Sequence, residues 1–387
     1  MSIPLSYNLR NLRVRWRSTL ATMIGIALVV TVFIFVRSLA HGMESTYIST
    51  GDDRNLLVLR KGSTAESSSQ LSREEARRIK YLEGIARDDH GEPLASAEII
   101  VLILLDRVGG TGSANVLVRG ISPVALELRP QIRITDGRML HPGLRECIVS
   151  HRIAERFAHC HVGESFQSGK TTWHVVGIFN APQTAYESEI WVDADEARSV
   201  FHRNFYGSVL LRPLNAAAAE TLKQRMHDDR LLGVKVQSEA EYYREQTQSA
   251  GLFQFLAWFL AIIMTIGACF AAMNTMYASV GGRTREIGTL RVLGFRRRQI
   301  YASFLLESVV LSLLGGALGC VISLLFNFMS TGTFSQTTFA EVAFQFRVTP
   351  SMLGAGMLFA LVMGVLGGLL PARLAARKPV LDALRAV

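Results

Sequence analysis

Charged residues are scarce in this 387-residue sequence. They make up 19% of the chain, whereas a soluble domain carries about 25%. Hydrophobic residues account for 49%, and the mean hydropathy is positive, at +0.25. This composition excludes a disordered chain and a fibrous repeat, and it predicts a membrane protein with room for one soluble domain.

Recognisable catalytic and metal-binding patterns are lacking as well. No Ser/His/Asp set and no pair of carboxylates stands out at a readable spacing. His159, Cys160 and His161 are adjacent in the chain, so they cannot all face one ion, and no second cluster follows at zinc spacing. We therefore expect no catalytic residue, no metal and no cofactor in this chain, and we do not expect an enzyme.

A nucleotide-binding loop is also missing. Gly163, Gly169, Lys170 and Thr171 resemble one, but that motif has four residues between its glycines and here there are five. Ser168 and Gly169 are better explained as a hairpin turn. ATP hydrolysis is thus expected from a separate protein.

Cysteine is rare, with four in the whole chain. Cys269 and Cys320 fall in apolar stretches, where a free cysteine behaves as a small apolar residue. Cys147 and Cys160 share one segment, and the sequence leaves open whether they pair.

Four long apolar stretches are present, and each supplies the ~20 residues that a helix needs to cross a bilayer. The first lies between Arg17 and Arg37, and the second has its apolar centre between Leu252 and Ser279. The third and fourth occupy residues 299–329 and 350–370. A cleaved signal peptide is an alternative for the first stretch, but a signal has an apolar region of only about 7–15 residues.

The predicted fold class is an α-helical membrane protein with four transmembrane helices and a large α+β extracytoplasmic domain between spans one and two. The predicted segments are an amphipathic N-terminal segment 1–17, span one and a stalk 18–49, the core domain 50–238, a stalk and span two 239–282, a coupling helix 283–298, span three 299–329, a short external loop 330–349, span four 350–372 and a tail 373–387.

The distribution of arginine predicts the orientation. Residues 1–17 carry four Arg and no acid, residues 283–298 carry six Arg against Glu286 alone, and the tail carries four basic residues against Asp382. Since cytoplasmic flanks keep the excess of basic residues, these segments and both termini are predicted inside, with the protein in a bacterial cytoplasmic (inner) membrane. Residues 41–249 hold 25 basic and 28 acidic residues and are predicted outside. The basic charge therefore reflects topology, and we expect no nucleic-acid partner.

Residues 50–238 show the short apolar runs of a mixed domain. The predicted strands are 55–59, 98–105, 114–120, 146–149, 173–179, 189–192, 208–211 and 234–237, and the predicted helices are 73–82, 152–157, 195–202 and 215–226. Ser72 and Glu75 form a capping box for the first helix. The Ser-rich stretch 63–70 is expected to be a mobile loop. One helix is expected from Glu239 to about Ser279, ~60 Å long, and residues 40–48 are expected to extend span one.

The segment 283–294 is an amphipathic element. On a helix, Ile287, Leu290 and Gly294 share one face, and Arg283, Glu286 and Arg291 lie beside it. Such a helix either docks into a partner groove or rests on anionic lipid, and the residues alone favour neither.

At this point the sequence resembles the MacB/FtsX/LolC-type permeases of ABC transporters. Three stretches carry the likeness: the Arg-Glu-Ile-Gly-x-x-Arg-x-x-Gly run at 285–294, span three with Glu307 and Gly315, and the tail from Pro371 to Arg385. The runs 118–121, 136–138 and 175–179 resemble the periplasmic core of that family.

The resemblance implies a four-span permease subunit, here without a fused ATPase, that works by mechanotransmission. It implies an ABC ATPase subunit that holds ATP and Mg, a second permease subunit, membrane lipids and a periplasmic adaptor protein as partners, and a lipid, lipoprotein, peptide or drug as substrate. The implied coupling residues are Arg283, Arg285, Glu286, Ile287, Gly288, Leu290, Arg291 and Gly294. The rival function is a signalling subunit of the cell-division type, which controls a wall hydrolase and transports nothing.

Two features within the spans remain. Gly315, Gly319, Gly364 and Gly368 have the spacing of close helix packing, either within the bundle or between two permease copies. Glu307 is expected near the inner interface, where it snorkels or pairs with an arginine, rather than in a proton relay.

Overall fold

The structure is a computed structural model that describes residues 16–110, 112–229, 231–248, 251–328, 330–334 and 341–378. The chain divides into two compact units. The helical unit comprises Met1–Gly42, Gly251–Met329 and Phe346–Val387, and the α/β unit comprises Met43–Ala250 and Ser330–Gln345.

The described helices are α1 (Trp16–Ile48), α2 (Arg73–Lys80), α3 (Ala125–Leu128), α4 (His151–Arg156), α5 (Ala194–Val200), α6 (Ala216–Asp228), α7 (Glu239–Gln248), α8 (Gly251–Gly282), α9 (Thr284–Val292), α10 (Arg297–Ser323) and α11 (Pro350–Arg377). Within the described residues, four stretches are long and apolar enough to cross a membrane: Thr19–Ile48, Trp258–Gly282, Arg297–Asn327 and Pro350–Arg377. The four predicted spans are confirmed.

The apolar side chains of these helices are only partly buried against one another. On α8, Phe255, Phe259, Ile266 and Phe270 are 52–65% exposed. In a water-soluble bundle such a surface would be covered. It is the surface expected of a helix that faces lipid.

Glycines set the closest approaches in the helical unit. A Cβ atom at Gly319 would lie 2.6 Å from the carbonyl oxygen of Ala27, and one at Gly315 would lie 2.9 Å from that of Met23. A Cβ at Gly368 would lie 2.5 Å from the Ser308 Cβ, and Gly364 faces Ser312 in the same way. All four predicted packing glycines thus face neighbouring helices of the same chain.

The described strands are β1 (Leu56–Arg60), β2 (Leu71–Ser72), β3 (Ala95–Asp106), β4 (Ser113–Ile121), β5 (Arg133–Gly137), β6 (Glu146–Ser150), β7 (Ser165–Ser168), β8 (Thr171–Asn180), β9 (Glu189–Asp193), β10 (Phe205–Tyr206), β11 (Ser208–Leu211), β12 (Val234–Ser238), β13 (Ser330–Phe334) and β14 (Glu341–Gln345). Among the described residues, ten of them form one mixed sheet in the order β12-β1-β11-β3-β4-β9-β6-β8-β5, with β7 paired to β8. Apolar side chains from its faces pack with the helices in separate clusters.

Each predicted strand and helix of this unit is present. Ser72 Oγ accepts a hydrogen bond from the Glu75 N–H, and the Glu75 carboxylate accepts one from the Ser72 N–H, so the predicted capping box is confirmed. Strands β7 and β8 form the predicted hairpin, and Gly169 has a φ of +61° in its turn.

The prediction of a mobile loop at 63–70 is wrong. Residues Glu66–Ser68 form a 3₁₀ turn, and Ala65, Glu66 and Ser69 are at most 3% exposed. Serine-rich composition indicated a solvated loop, but these side chains are hydrogen-bonded inside the unit. Within the predicted short external loop 330–349, β13 and β14 pair as antiparallel strands.

Helix α1 ends at Ile48, as predicted for an extended span one. The predicted continuous helix from Glu239 appears as α7 and α8, and the junction at 249–250 lies outside the described residues. Helix α11 includes the first residues of the predicted tail, to Arg377. The predicted segment 1–17 lies outside the described residues up to residue 15, as does the tail from 379.

Candidate functional site

The candidate site is the segment 283–298, which joins α8 to α10. Helix α9 ends at Val292, Leu293 is its C-cap residue, and Gly294 follows with a φ of +93°. The predicted coupling helix 283–298 is therefore corrected to Thr284–Val292, and Gly294 lies outside it. The Gly294 N–H donates to the Arg291 carbonyl (3.2 Å), and the Phe295 N–H donates to the Leu290 carbonyl (3.1 Å). These are the two bonds of a Schellman motif, so the sequence fixes where this helix stops.

A buried ion pair holds the start of the segment. Arg283 Nη1 donates to Glu307 Oε2 of α10 at 2.8 Å, and both side chains are at most 7% exposed. The Arg283 guanidinium also lies 5.7 Å from the centre of the Phe304 ring. The expected arginine partner of Glu307 is therefore present, and it is Arg283.

The apolar face of α9 packs against neighbouring helices of the same chain. Ile287 is 2% exposed and belongs to a cluster with Val280, Phe304 and Ala375. Gly288 is buried beside it. The expectation that Ile287 contacts a partner is corrected, because this side chain is already covered by α8, α10 and α11.

Other residues of the segment remain at the surface. Val292 is 62% exposed and Leu293 is 71% exposed. Arg285 is exposed too, and the Glu286 side chain is 53% exposed and lies 3.6 Å from Arg283. Leu290 and Arg291 are half-buried. The face available to a partner thus centres on Val292 and Leu293.

Helix α11 holds the segment from another side. Lys378 Nζ, directly after that helix, donates to Thr284 Oγ1 at 2.7 Å. Together with Arg283 and Ile287, this contact ties α9 to both α10 and α11.

A second polar cluster lies inside the α/β unit. Arg119 makes two bonds to Glu189, at 2.7 and 2.9 Å, and its Nη1 also donates to Glu66 and Glu98. Arg129 makes two bonds to Glu98, at 2.6 and 2.8 Å. All five side chains are at most 5% exposed. Such buried charges are tolerated only because each is paired.

This cluster reaches the first turn of α7. The Glu239 carboxylate accepts hydrogen bonds from Asn55 Nδ2 (2.9 Å) and Tyr186 Oη (2.8 Å) and lies 3.6 Å from Arg129. The Tyr242 hydroxyl accepts from the Glu66 N–H at 3.1 Å. Helix α7 is thus anchored at its root to the core of its unit.

The cluster perturbs its own acid groups. Burial raises the pKa of Glu239 above its ordinary value, and the facing Arg129 only partly offsets this. Burial acts on Glu98 in the same direction, but Arg129 and Arg119 together outweigh it and bring its pKa below the ordinary value. The pKa values of Glu239 and Glu98 therefore shift in opposite directions, because Glu98 faces two guanidinium groups and Glu239 faces one.

Cys147 and Cys160 are both free and buried in one apolar cluster. Burial raises the pKa of the Cys160 thiol to about 12 and raises that of Cys147 further. Both are therefore protonated at neutral pH and unreactive as thiolates. No group of three or more metal-ligating side chains occurs in the part of the chain that the structure describes.

Sequence patterns offered little indication of this cluster. Arg119 lies in a strand of alternating pattern, Glu66 in a serine-rich stretch and Glu239 at a helix start. A buried charge and a surface charge look the same in sequence. One indication was available, namely that Arg119 points to the same face as Leu117 and Ile121, which are apolar.

Comparisons with known proteins agree with this architecture. Residues 18–228 match the family model of the MacB-like periplasmic core domain, and residues 258–380 match that of the FtsX-like permease C-terminal region. An uncharacterized ABC transporter permease, YvrN of Bacillus subtilis (strain 168), is 28% identical over 261 residues, which cover 65% of this chain and 58% of the relative.

Two exporters are also similar. The pyoverdine export ATP-binding/permease protein PvdT of Pseudomonas entomophila is 32% identical over 248 residues, 58% of this chain and 35% of the relative. The macrolide export ATP-binding/permease protein MacB of Bdellovibrio bacteriovorus is 26% identical and covers 95% of this chain and 58% of the relative. The chain thus spans between 35% and 58% of the length of these three relatives.

Among solved structures, the periplasmic region of MacB from Actinobacillus actinomycetemcomitans is similar to 49% of this chain, with 91% of that region covered, 13% identity and a TM-score of 0.38. The extracellular domain of the noncanonic ABC-type transporter YknZ is similar to 48% of this chain, with full coverage of that domain, 16% identity and a TM-score of 0.36.

Four apolar helices with an α/β unit between the first and the second define a multi-pass bacterial membrane protein. The matched models cover most of the described chain, and the chain belongs to the ABC transporter permeases of the MacB/FtsX type.

Proposed function

We propose that this permease couples ATP hydrolysis by a separate ATPase subunit to movement of its α/β unit outside the membrane. This movement drives export or extraction of a lipid, lipoprotein, peptide or drug, which is the mechanism called mechanotransmission. ATP and Mg²⁺ are held by the ATPase. A second permease subunit, membrane lipids and a periplasmic adaptor protein complete the proposed set of partners.

The attachment of α9 to its neighbours carries the proposal. Arg283–Glu307, Ile287 and Lys378–Thr284 bind α9 to α10 and α11. Removing one partner of a buried ion pair costs about 3–5 kcal/mol, so these contacts are strong. A force on α9 is therefore expected to displace α10 and α11 before α9 separates from them.

Contact with the ATPase is assigned to the exposed end of α9. Val292 and Leu293 supply an apolar pair for a partner groove. Arg291 is half-buried beside this pair, and a carboxylate of the ATPase next to the accessible part of its guanidinium would gain a charge-assisted bond. Arg285 and Glu286 then fix the orientation at the rim.

Two features support transmission to the α/β unit. Helix α1 runs for 33 residues without a break, roughly 50 Å at 1.5 Å per residue, which exceeds the ~30 Å apolar core of a bilayer. Helix α7 is held at Glu239 and Tyr242 by the buried cluster. Rigid attachment at this root lets motion of the helix carry the unit with it.

The proposed orientation places both termini and residues 283–298 in the cytoplasm, in the inner membrane. It is tested with single cysteines and a maleimide that does not cross membranes. Lys170→Cys should be labelled in intact spheroplasts, and Arg297→Cys only after permeabilisation. Labelling of Arg297→Cys in sealed spheroplasts would overturn this topology.

The coupling proposal is tested by co-purification. Full-length chain carrying Leu293→Asp is tagged, extracted from membranes of its own host and assayed for ATPase activity that elutes with it. We expect most of this activity to be lost, because a buried unpaired charge opposes docking. Leu214→Asp is the matched control, since Leu214 is 69% exposed in the α/β unit. Equal recovery in both variants would contradict docking at this face.

A further inference from the structure

Strand β12 is an edge strand with an open backbone. Among the described residues it pairs with β1 alone and ends the sheet order. The Lys61 N–H donates to the Gly233 carbonyl and the Glu239 N–H to the Asn55 carbonyl, each at 3.0 Å.

These two bonds show which residues of β12 hydrogen-bond to β1. In an antiparallel pair, bonded residues alternate with unbonded ones. Positions 233, 235, 237 and 239 therefore direct their backbone groups to β1. The N–H and C=O groups of Val234 and Val236 and the N–H of Ser238 point away from the sheet, while the Ser238 carbonyl caps the first turn of α7.

A groove with basic walls runs beside this edge. It has a volume of about 580 Å³, lies between β12 and α6, and is lined on the helix by Glu220, Lys223, Gln224 and His227. These four follow the i, i+3, i+4, i+7 spacing of one helix face. Lys61 and Lys235 line the groove from the strand side.

The charge of the groove differs from that of its unit. Lys61 and Lys223 line the groove with Glu220, its single acid, and Lys223 Nζ donates to Glu220 Oε1 at 2.8 Å. Lys61 is therefore the cation of the lining that pairs with no acid among the described residues, whereas residues 41–249 as a whole carry a small excess of acid. A lysine on an edge strand often blocks pairing. Here Lys235 Nζ donates to Glu245 Oε2 of α7 at 2.8 Å, on the face opposite α6, which leaves the edge open.

We propose that β12 and α6 form a docking site for an extended acidic segment of a partner protein, which adds as a further antiparallel or parallel strand. Its backbone bonds to Val234, Val236 and Ser238. Its residues opposite Val234 and Val236 project on the side of α6, so acidic side chains two positions apart meet Lys61, Lys223 and His227. This site does not depend on how the membrane helices are driven.

The test uses the full chain in nanodiscs and a fluorescent peptide in which glutamate and valine alternate. Binding is measured by anisotropy. We expect saturable binding that weakens with salt, and no binding of the peptides in which lysine replaces glutamate or proline replaces valine. Absence of binding by the glutamate–valine peptide, or equal binding of the proline peptide, overturns strand addition.

Two variants probe the two components of the site. Val236→Pro removes an outward N–H and leaves the ladder to β1 intact, and we expect peptide affinity to fall roughly tenfold, with Val236→Thr as its control. Lys61→Glu with Lys223→Glu should also weaken binding by roughly tenfold, whereas Lys170→Glu, on a distant hairpin turn, should not. Wild-type peptide affinity in Val236→Pro or in the double lysine variant overturns the proposal. An equal loss of peptide affinity with Lys170→Glu does so as well.

Discussion

At the scale of single residues, buried charges stabilise each of the two units from within. Arg283 and Glu307 fix the segment before α9 to α10, and Arg119 and Arg129 fix the root of α7 to its core. Because an arginine presents a planar fork of donors, it satisfies two carboxylates at once. Lysine at Arg119 would leave part of these carboxylates without donors.

The first prediction concerns Arg283→Met. This change leaves Glu307 buried without its cation, and the cost should be about 3–5 kcal/mol. The apparent unfolding temperature in detergent should fall by several degrees, and ATP-dependent function should be lost even where the ATPase still binds.

The double variant Arg283→Met with Glu307→Met distinguishes this cause from general damage. Removing both charges should restore most of the unfolding temperature, because an apolar pair of similar volume replaces the ion pair. Arg285→Met, an exposed neighbour, is the control for stability and should change the unfolding temperature little. A double variant as unstable as the single one would show that the pair does not act as described.

The apolar face of α9 could not be assigned to a partner or to the chain itself from sequence. The apolar positions of α9 correctly predict an amphipathic helix, but spacing cannot say which surface covers the apolar face. Ile287 packs on its own bundle, and the exposed pair Val292–Leu293 became evident only from the fold.

At the scale of elements, helix ends and turns follow local chemistry. Ser72 with Glu75 and the turn at Gly169 were predicted because their signals involve neighbours in sequence. Gly294 was predicted on a helix face, and the structure instead places it after the end of α9. The 3₁₀ turn at Glu66–Ser68 was not predicted, since its burial depends on Tyr242 and Arg119, far away in the chain.

A substitution at Gly294 tests whether a fixed end of α9 matters. Gly294→Ala places a Cβ on a left-handed backbone, which should cost about 1 kcal/mol. Amide hydrogen exchange of α9 should accelerate roughly fivefold, and coupling should weaken.

The control is Gly281→Ala, a helical glycine with no atom within 4 Å of an added Cβ. It should leave exchange in α9 unchanged or slower, because alanine favours helix. Equal acceleration by both substitutions would rule out the cap as the cause.

At the scale of the whole molecule, the sequence was sufficient for the four spans and for eight strands of the α/β unit, whereas short strands such as β2, β5 and β10 were not predicted. Hydropathy and the alternation of apolar and polar residues are local properties of the sequence, so they can be read without knowledge of the fold. The strand order was not predictable, because β1 lies between β12 and β11, which follow it by more than 140 residues. The buried cluster and the open edge at β12 are consequences of that order.

In the proposed mechanism, nucleotide binding below the membrane moves the α/β unit through α9. The most direct measurement is the distance between spin labels at Lys170→Cys and Arg297→Cys, by double electron–electron resonance, with the four native cysteines replaced by alanine. The sample is the permease–ATPase complex in nanodiscs, with and without a non-hydrolysable ATP analogue.

The account predicts that the analogue shifts the distance distribution, and that Arg283→Met removes the shift without altering the nucleotide-free distribution. An unchanged distribution in a complex that binds the analogue and hydrolyses ATP would contradict transmission through α9.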